Sequence, residues 1–376
     1  MQDYRVDCVC HDCALTVRMP VLNEREKAVC PRCGCTLSIA HKNLINRLLA
    51  LSITALICMA MTLPFEFLSF QASGIESRFT IVSSFQLLFD QQHLLLAITL
   101  LFTAYVIPVV ILVGFIYLLI KHKLGGQMVA FDSHLFHFVF KLLPWGMVEI
   151  FLLGVLVSLI KMVSMADVSV GMSFWAFVSY AIATTAVSFF IDKQQLYGLL
   201  RIARDTSHEQ LPDAHHRKMS IQYTWAYLLT ATVLLFPANF MPIMTTRLFG
   251  QDEPSTILGG VMVLWESGSF PIAIVIFVAS IFIPLAKILV LAWLNYTVQV
   301  GHDMRHGERM LMYRIAEFIG RWSMIDIFVV IVLVCLIQLG NTMAVLPGPA
   351  TISFSAVVVI TMLAAMSFEP RLIWNN

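Results

Sequence analysis

The sequence predicts an all-α polytopic membrane protein: two tandem four-helix transmembrane units, about eight spans in all, behind an N-terminal zinc ribbon. Three observations predict it. Of the 376 residues, 59% are hydrophobic and only 12% charged, against roughly 25% charged in a soluble domain, and mean hydropathy is +0.82. Eight apolar stretches approach the roughly 20 helical residues that a bilayer requires. The two halves also repeat short motifs in the same order. The net charge of +1 gives no argument for nucleic acid.

The head comes first. Six of the eight cysteines fall in the first 35 residues. Residues 1–47 are polar, precede the first apolar run and show no secretory pattern, so the head is expected in the cytosol, where thiols stay reduced and favour metal over disulfides. Cys10-x-x-Cys13 and Cys30-Pro-Arg-Cys33-Gly34 are separated by sixteen residues. Two such knuckles supply the four thiolates of a structural Zn2+ site, with Gly34 permitting the tight turn. His11 is not needed as a ligand. Cys8 and Cys35 flank the four, either as bystanders or as redox-sensing thiols. Cys58 and Cys335 stand singly in apolar stretches and read as small hydrophobes.

The spans follow at 45–65, 94–120, 139–160, 173–191, 221–241, 270–298, 322–340 and 352–368. The shorter apolar pieces 81–89 and 256–265 read as interfacial or re-entrant. With the N-terminus inside, twenty Lys and Arg fall on the inner side and three (Arg78, Lys161, Arg247) outside. Both termini are therefore expected in the cytosol. The domains read as ribbon 1–42, first unit 43–198, linker 199–220 and second unit 221–376.

The repeat pairs Thr80-Ile81 with Thr256-Ile257, Pro108 with Pro284, Trp145-Gly-Met-Val-Glu149-Ile-Phe with Trp322-Ser-Met-Ile-Asp326-Ile-Phe, and Ser188-Phe189 with Ser367-Phe368. Each unit has an even number of spans, so both copies face the same way.

Ionisable groups within spans are costly and mark function by default. Lys287 follows Pro284 in an apolar helix that the proline is expected to kink. Asp326 is placed to pair with it, as a structural pair or as part of a transport-related network. Thr361 is a candidate to join that network, and Glu149 is the first unit's equivalent of Asp326. Glu317 and Arg321, one turn apart, read as an ion pair at the inner surface. Asn239 between Pro237 and Pro242 suggests a broken helix. Outer segments 66–92 and 243–269 are the places for a periplasmic partner to touch. Inner loop 301–318 is expected on the headgroups. No Walker motif, Ser-His-Asp grouping or dinucleotide fingerprint appears, so no enzyme is predicted.

The CxxC…CPRCG ribbon, Trp145-Gly-Met-Val-Glu-Ile-Phe, Pro237-Ala-Asn-Phe-Met-Pro, Pro254-Ser-Thr-Ile-Leu-Gly-Gly, Gly320-Arg-Trp-Ser-Met-Ile-Asp326 and Phe368-Glu-Pro-Arg-Leu-Ile-Trp374 together resemble the paraquat-inducible protein A family over nearly the whole chain. The resemblance implies an inner-membrane protein of a Gram-negative envelope that works with a periplasmic MCE-domain protein (PqiB-like). Such a pair moves phospholipid or another lipid between membranes and supports envelope integrity and membrane-stress tolerance. Family members usually carry a second four-cysteine ribbon between the units. Residues 192–220 hold no cysteine here. The alternative is a zinc- or redox-sensing scaffold that anchors the partner without transporting.

Overall fold

The computed structural model describes residues 6–19, 22, 24, 26–72, 75–90, 94–163, 167–200, 214–248, 251–266, 268, 270–300, 306–336 and 343–374. The linker reading lies largely outside them, as do loop residues 301–305 and the side chains of Glu76, Arg78, Asp90 and Lys161.

The ribbon is two antiparallel hairpins, β1 (Val6–Val9) with β2 (Thr16–Met19) and β3 (Lys27–Val29) with β4 (Thr36–Ile39). Each knuckle turns on one left-handed residue, Ala14 (φ 56°) and Gly34 (φ 69°).

The first unit runs α1 (Leu44–Thr62), β5 (Leu68–Ala72), β6 (Ile75–Phe79), α2 (Ile81–Asp90), α3 (Leu94–Leu100), α4 (Ile107–Lys123), α5 (Ala130–Leu142), α6 (Val148–Val163), β7 (Asp167–Val170), α7 (Met172–Phe190) and the short helix α8 (Lys193–Leu200). The second repeats it: α9 (Ala214–Phe240), β8 (Met244–Leu248), β9 (Gln251–Ser255), α10 (Ile257–Glu266), α11 (Phe270–Phe277), α12 (Ile283–Val300), α13 (His306–Trp322), α14 (Ile325–Leu336), β10 (Met343–Pro347) and α15 (Pro349–Ser367). Among the described residues these form eight helical spans. The chain is a multi-pass membrane protein.

The repeat extends to details that physics makes expensive. Thr80 Oγ1 accepts the Ser83 amide at 3.1 Å and Thr256 Oγ1 the Gly259 amide at 3.0 Å, so the two short outer helices α2 and α10 start on the same threonine cap. The second and sixth spans each contain a π-helical turn, Leu101–Val106 and Val278–Phe282, directly before Pro108 and Pro284. A proline cannot donate to the residue four back, and a widened turn absorbs that defect inside a continuous helix. In the first unit the Met147 amide reaches across to the Thr103 carbonyl at 3.2 Å. That bond supplies a freed carbonyl with a protein donor where water is absent.

Two features depart from the sequence reading. The outer segments form three-stranded antiparallel sheets, with β5 between β6 and β7 and β8 between β9 and β10. The helix expected to break near Asn239 is continuous from Ala214 to Phe240 through Pro237. Pro237 forfeits its own bond to the Val233 carbonyl, but only three residues of helix follow it, and the Asn239 side-chain amide donates to the Leu235 carbonyl at 2.9 Å. The third and seventh spans are also preceded by helices, α5 and α13, so the charged segment expected to lie on the headgroups is helical from His306.

The units meet along α6 and α14. Phe151 and Phe328 pack edge to face at 5.4 Å, a favoured aromatic geometry. Gly154 lets the helices close, because a Cβ there would lie 2.8 Å from the Phe328 Cβ. This is the small-residue packing that drives association where lipid removes the hydrophobic incentive.

The fourth span of each unit starts on a glycine that the preceding outer segment crosses. A Cβ at Gly171 would lie 2.0 Å from the Glu66 carbonyl oxygen, and one at Gly348 2.1 Å from that of Pro242. Gly348→Ala is therefore expected to lower stability by about 2–3 kcal/mol, the range of overpacked sites. Gly260→Ala, which meets nothing within 4 Å, is expected to stay within about 0.5 kcal/mol of the parent or above it. Thermal unfolding of both in detergent checks the contrast.

Candidate metal centre and intramembrane polar residues

The two knuckles bring Cys10, Cys13, Cys30 and Cys33 together with all four sulfurs within 4.8 Å of one another. The Cys10–Cys33 and Cys13–Cys30 sulfurs stand 3.5 Å apart. Four thiolates at the ~2.3 Å zinc–sulfur distance sit about 3.8 Å apart in a tetrahedron, so the cluster fits a tetrahedral metal ion. The Cys10 and Cys30 amides close turns on Leu15 and Cys35, and the Ala14 and Gly34 amides return to the Cys10 and Cys30 carbonyls. Cys8 is buried on β1 outside the four-sulfur group. Cys35 is closer: its thiol donates to the Thr36 carbonyl at 3.6 Å, and its contact with Cys10 holds the Cys10 pKa down to about 4 although burial opposes it. The same contact, with burial, pushes the Cys35 thiol's own pKa up.

The ribbon is docked on both units. Asp192, between α7 and α8, accepts Ser38 Oγ at 2.8 Å and the Ile39 amide at 2.6 Å through one oxygen. Its other oxygen caps α8 through the Gln194 and Gln195 amides at 2.9 and 3.0 Å. On the second unit, Arg314 of α13 holds Asp12 at 2.6 Å and donates to the Cys33 carbonyl at 3.3 Å. It thus grips one residue from each knuckle. Arg371 donates to the His11 carbonyl at 3.2 Å, and Arg32 lies 4.8 Å over the Trp374 ring. Burial alone would raise the Asp12 pKa, but His11 and the Arg314 guanidinium override it and hold the carboxyl at about 2.

Within the membrane, Lys287 is 3% exposed. Its Nζ donates to Thr361 Oγ1 at 3.2 Å, and the Thr361 hydroxyl donates to the Val358 carbonyl at 3.0 Å. Gly320 makes room for it, since a Cβ there would lie 2.7 Å from Nζ. That accounts physically for the glycine of the Gly320-Arg-Trp-Ser-Met segment.

The expected pairing of Lys287 with Asp326 is not formed. Asp326 instead lines a cavity of about 70 Å3 with Thr256, Ser280 and Val330, walled on the other unit's side by Val157. The reason is depth along the helix. Ser280 of the π turn faces the cavity, and Lys287 lies seven residues further, about 10 Å along the axis. Glu149 lines a separate cavity of about 30 Å3 inside the first unit, with Pro108, Thr184 and Ser188. The structure thus joins Lys287 to Thr361 and keeps the two carboxylates apart, each at its own cavity. Glu317 is exposed on α13. The Arg321 side chain lies outside the described residues, so the Glu317–Arg321 pair is not described.

Sequence reasoning missed Asp12, Asp192, Arg314, Gly320 and Ser280. Two carried a signal: Asp12, an acid enclosed between two candidate ligands, and Gly320, which opens the Gly320-Arg-Trp-Ser-Met-Ile-Asp326 motif.

The family model described as paraquat-inducible protein A matches the chain twice, over residues 45–201 and 221–376. Intermembrane transport protein PqiA of Escherichia coli (strain K12) is 34% identical, over 98% of this chain and 95% of its own length. Lipophilic envelope-spanning tunnel protein A of the same strain is 27% identical over 97% and 90%. A probable intermembrane transport protein of Haemophilus influenzae is 25% identical over 97% and 95%. No solved structure gives a significant match.

Arg314→Ala is expected to free the ribbon without emptying it. An ion pair this exposed is worth about 1 kcal/mol, so limited trypsin cleavage near Lys42 should quicken roughly fivefold while bound metal per chain stays constant. Because folding depresses the Asp12 pKa, its contribution is full above the ordinary carboxylate range near 4 and is lost as pH falls towards 2. The parent's protection in the same assay, run with an acid-active protease, should fall over that window towards the level of the variant.

Proposed function

The chain belongs to the paraquat-inducible protein A family, and from that membership we propose that it is the inner-membrane component of a lipid transport system acting between envelope membranes. Its partner is a periplasmic MCE-domain protein of the PqiB-like kind, and its cargo is phospholipid or a related lipid. The names carried by the E. coli and H. influenzae relatives support the transport reading. The observation that carries it here is the cavity at the seam of the units, apolar apart from Asp326, Ser280 and Thr256. At about 70 Å3 it has room for a few waters and not for a lipid, so it marks the seam at which the units would part during transport and is not a formed lipid pocket.

Residues 43–198 and 221–376 act as the two transport units, with 199–220 as a linker. Lys287, Thr361, Asp326 and Glu149 form the polar network of the transport cycle, in which a buried ammonium and two carboxylates change partners as the units move. Zn2+ in the Cys10, Cys13, Cys30 and Cys33 site is structural. Both termini lie in the cytosol, as the twenty-to-three distribution of basic residues supports. The extra thiol of Cys35 beside the four candidate ligands favours one second reading, a ribbon that senses oxidant or zinc while the membrane part anchors the partner.

Gentle extraction of the tagged protein, followed by mass spectrometry of bound protein and lipid, tests the proposal. An MCE-domain protein with stoichiometric phospholipid is the expected result. Recovery of neither sinks the transport reading and leaves the sensor. Lys287→Met is expected to slow lipid transfer in a reconstituted assay at least tenfold, ~1.4 kcal/mol in barrier, at normal protein level. Unchanged transfer in the triple variant Lys287→Met, Asp326→Asn, Glu149→Gln would remove the network from the mechanism.

A further inference from the structure

A crevice of about 480 Å3 opens on the ribbon-bearing face of the first unit. It lies where α1 enters and α4 leaves the membrane, beside α8. Its polar lining includes His41, Asn43, His122, Lys123 and Gln195, with Leu44 and Leu199 among the apolar residues. Among its described lining residues none is acidic.

Three carboxylates on neighbouring segments are already engaged: Asp192 by Ser38, Ile39, Gln194 and Gln195, Asp132 by Lys121 at 2.6 Å, and Glu24 by Lys42 at 3.2 Å. The lining is held in place. The His41 ring packs edge-on against Phe190 at 5.3 Å, and its backbone is pinned from both sides by the Gln195 amide, at 3.3 and 3.1 Å. His122 and Lys123 close α4, where Gly125 (φ 73°) turns the chain away. Two imidazoles, an ammonium and side-chain amides therefore converge on one space at the depth of lipid headgroups, with aliphatic surface beside them.

We propose that this crevice binds the phosphate of an anionic phospholipid headgroup from the leaflet on that face. A phosphate monoanion matches the donors, since the described lining offers the Lys123 ammonium, imidazole and amide N–H groups and no carboxylate. The volume lies in the range of small-molecule sites. The position at two span ends, with Leu199 alongside, suits a lipid over a free ion. The site is separate from the seam cavity of Asp326, and the proposal stands whether or not the chain transports lipid.

The test uses the full chain in nanodiscs. Its thermal unfolding midpoint is followed as phosphatidylglycerol replaces phosphatidylcholine, and separately as inorganic phosphate is added in phosphatidylcholine discs. The parent is expected to bind phosphatidylglycerol at least fivefold more tightly than phosphatidylcholine, about 1 kcal/mol per basic group at the surface. Lys123→Ala with His122→Gln is expected to bring that ratio to within twofold, at an unchanged midpoint in phosphatidylcholine. Lys123→Arg is expected to keep it. Absence of a preference in the parent, or the same preference in the double variant, overturns the site. If the double variant is unstable in phosphatidylcholine, His41→Gln supplies the same reading without touching α4. Protection by millimolar inorganic phosphate equal to that by phosphatidylglycerol overturns the lipid as its ligand.

Discussion

Hydrocarbon offers backbone amides and carbonyls no partner, and each one left unpaired there costs several kcal/mol. Most of this structure answers that constraint. The prolines of the second and sixth spans are tolerated because a π turn precedes each, and in the first unit the Met147 amide crosses to the opened turn. The chain emerging from the first and fifth spans is bonded into a sheet rather than left as loop. The amides of Gly171 and Gly348 donate to the Phe67 and Ile243 carbonyls at 3.1 and 2.8 Å, so each fourth span begins already tied to the first span of its unit. These solutions occur twice, at matching places, because each unit meets the same problem.

On this shared frame the chemistry diverges. Three residues after the repeated proline the first unit has buried Ile111 and the second has Lys287. A lysine there needs a hydroxyl partner and a glycine opposite, and Thr361 and Gly320 provide them. The first unit keeps its own carboxylate, Glu149, near Thr184 and Ser188. The second unit's carboxylate lies at the seam, where both units wall the cavity. Movement between the units would therefore alter the surroundings of Asp326 far more than those of Glu149. The ribbon adds a further asymmetry, binding the first unit through Asp192 and the second through Arg314 and Arg371.

Much of this was legible in the sequence. Cysteine spacing gave the ribbon, hydropathy the spans, and the ordered motif pairs the repeat. The short apolar pieces were rightly read as too short to cross, and they are helices. The outer sheets were not legible. Their strands are four or five residues long, and the third strand of each comes from about a hundred residues away, so no local period marks them. Asn239 between two prolines suggested a break, but only three residues of helix follow Pro237, and the Asn239 side-chain amide donates to the Leu235 carbonyl. The Lys287–Asp326 pair failed because proximity in a predicted bundle says nothing of depth, and seven residues separate Lys287 from Ser280 at the level of Asp326. The docking of the ribbon was equally hidden, since single residues such as Arg314 and Asp192 look like ordinary basic and acidic surface.

The contact of Arg32 with Trp374 joins residues 342 positions apart. The ribbon is synthesised first, and its local hairpins and four thiolates need nothing downstream to form. Its seat on the second unit needs Arg314, Arg371 and Trp374. At a synthesis rate of about 5–20 residues per second, the ribbon waits roughly 20–70 seconds between its own completion and the appearance of its seat. For that interval it is a finished module on an unfinished membrane protein, and its docking marks the moment when both units have been inserted. A chain truncated before Arg314 would carry a finished ribbon with Asp12 and Arg32 lacking their partners on the second unit, which distinguishes it from the complete protein.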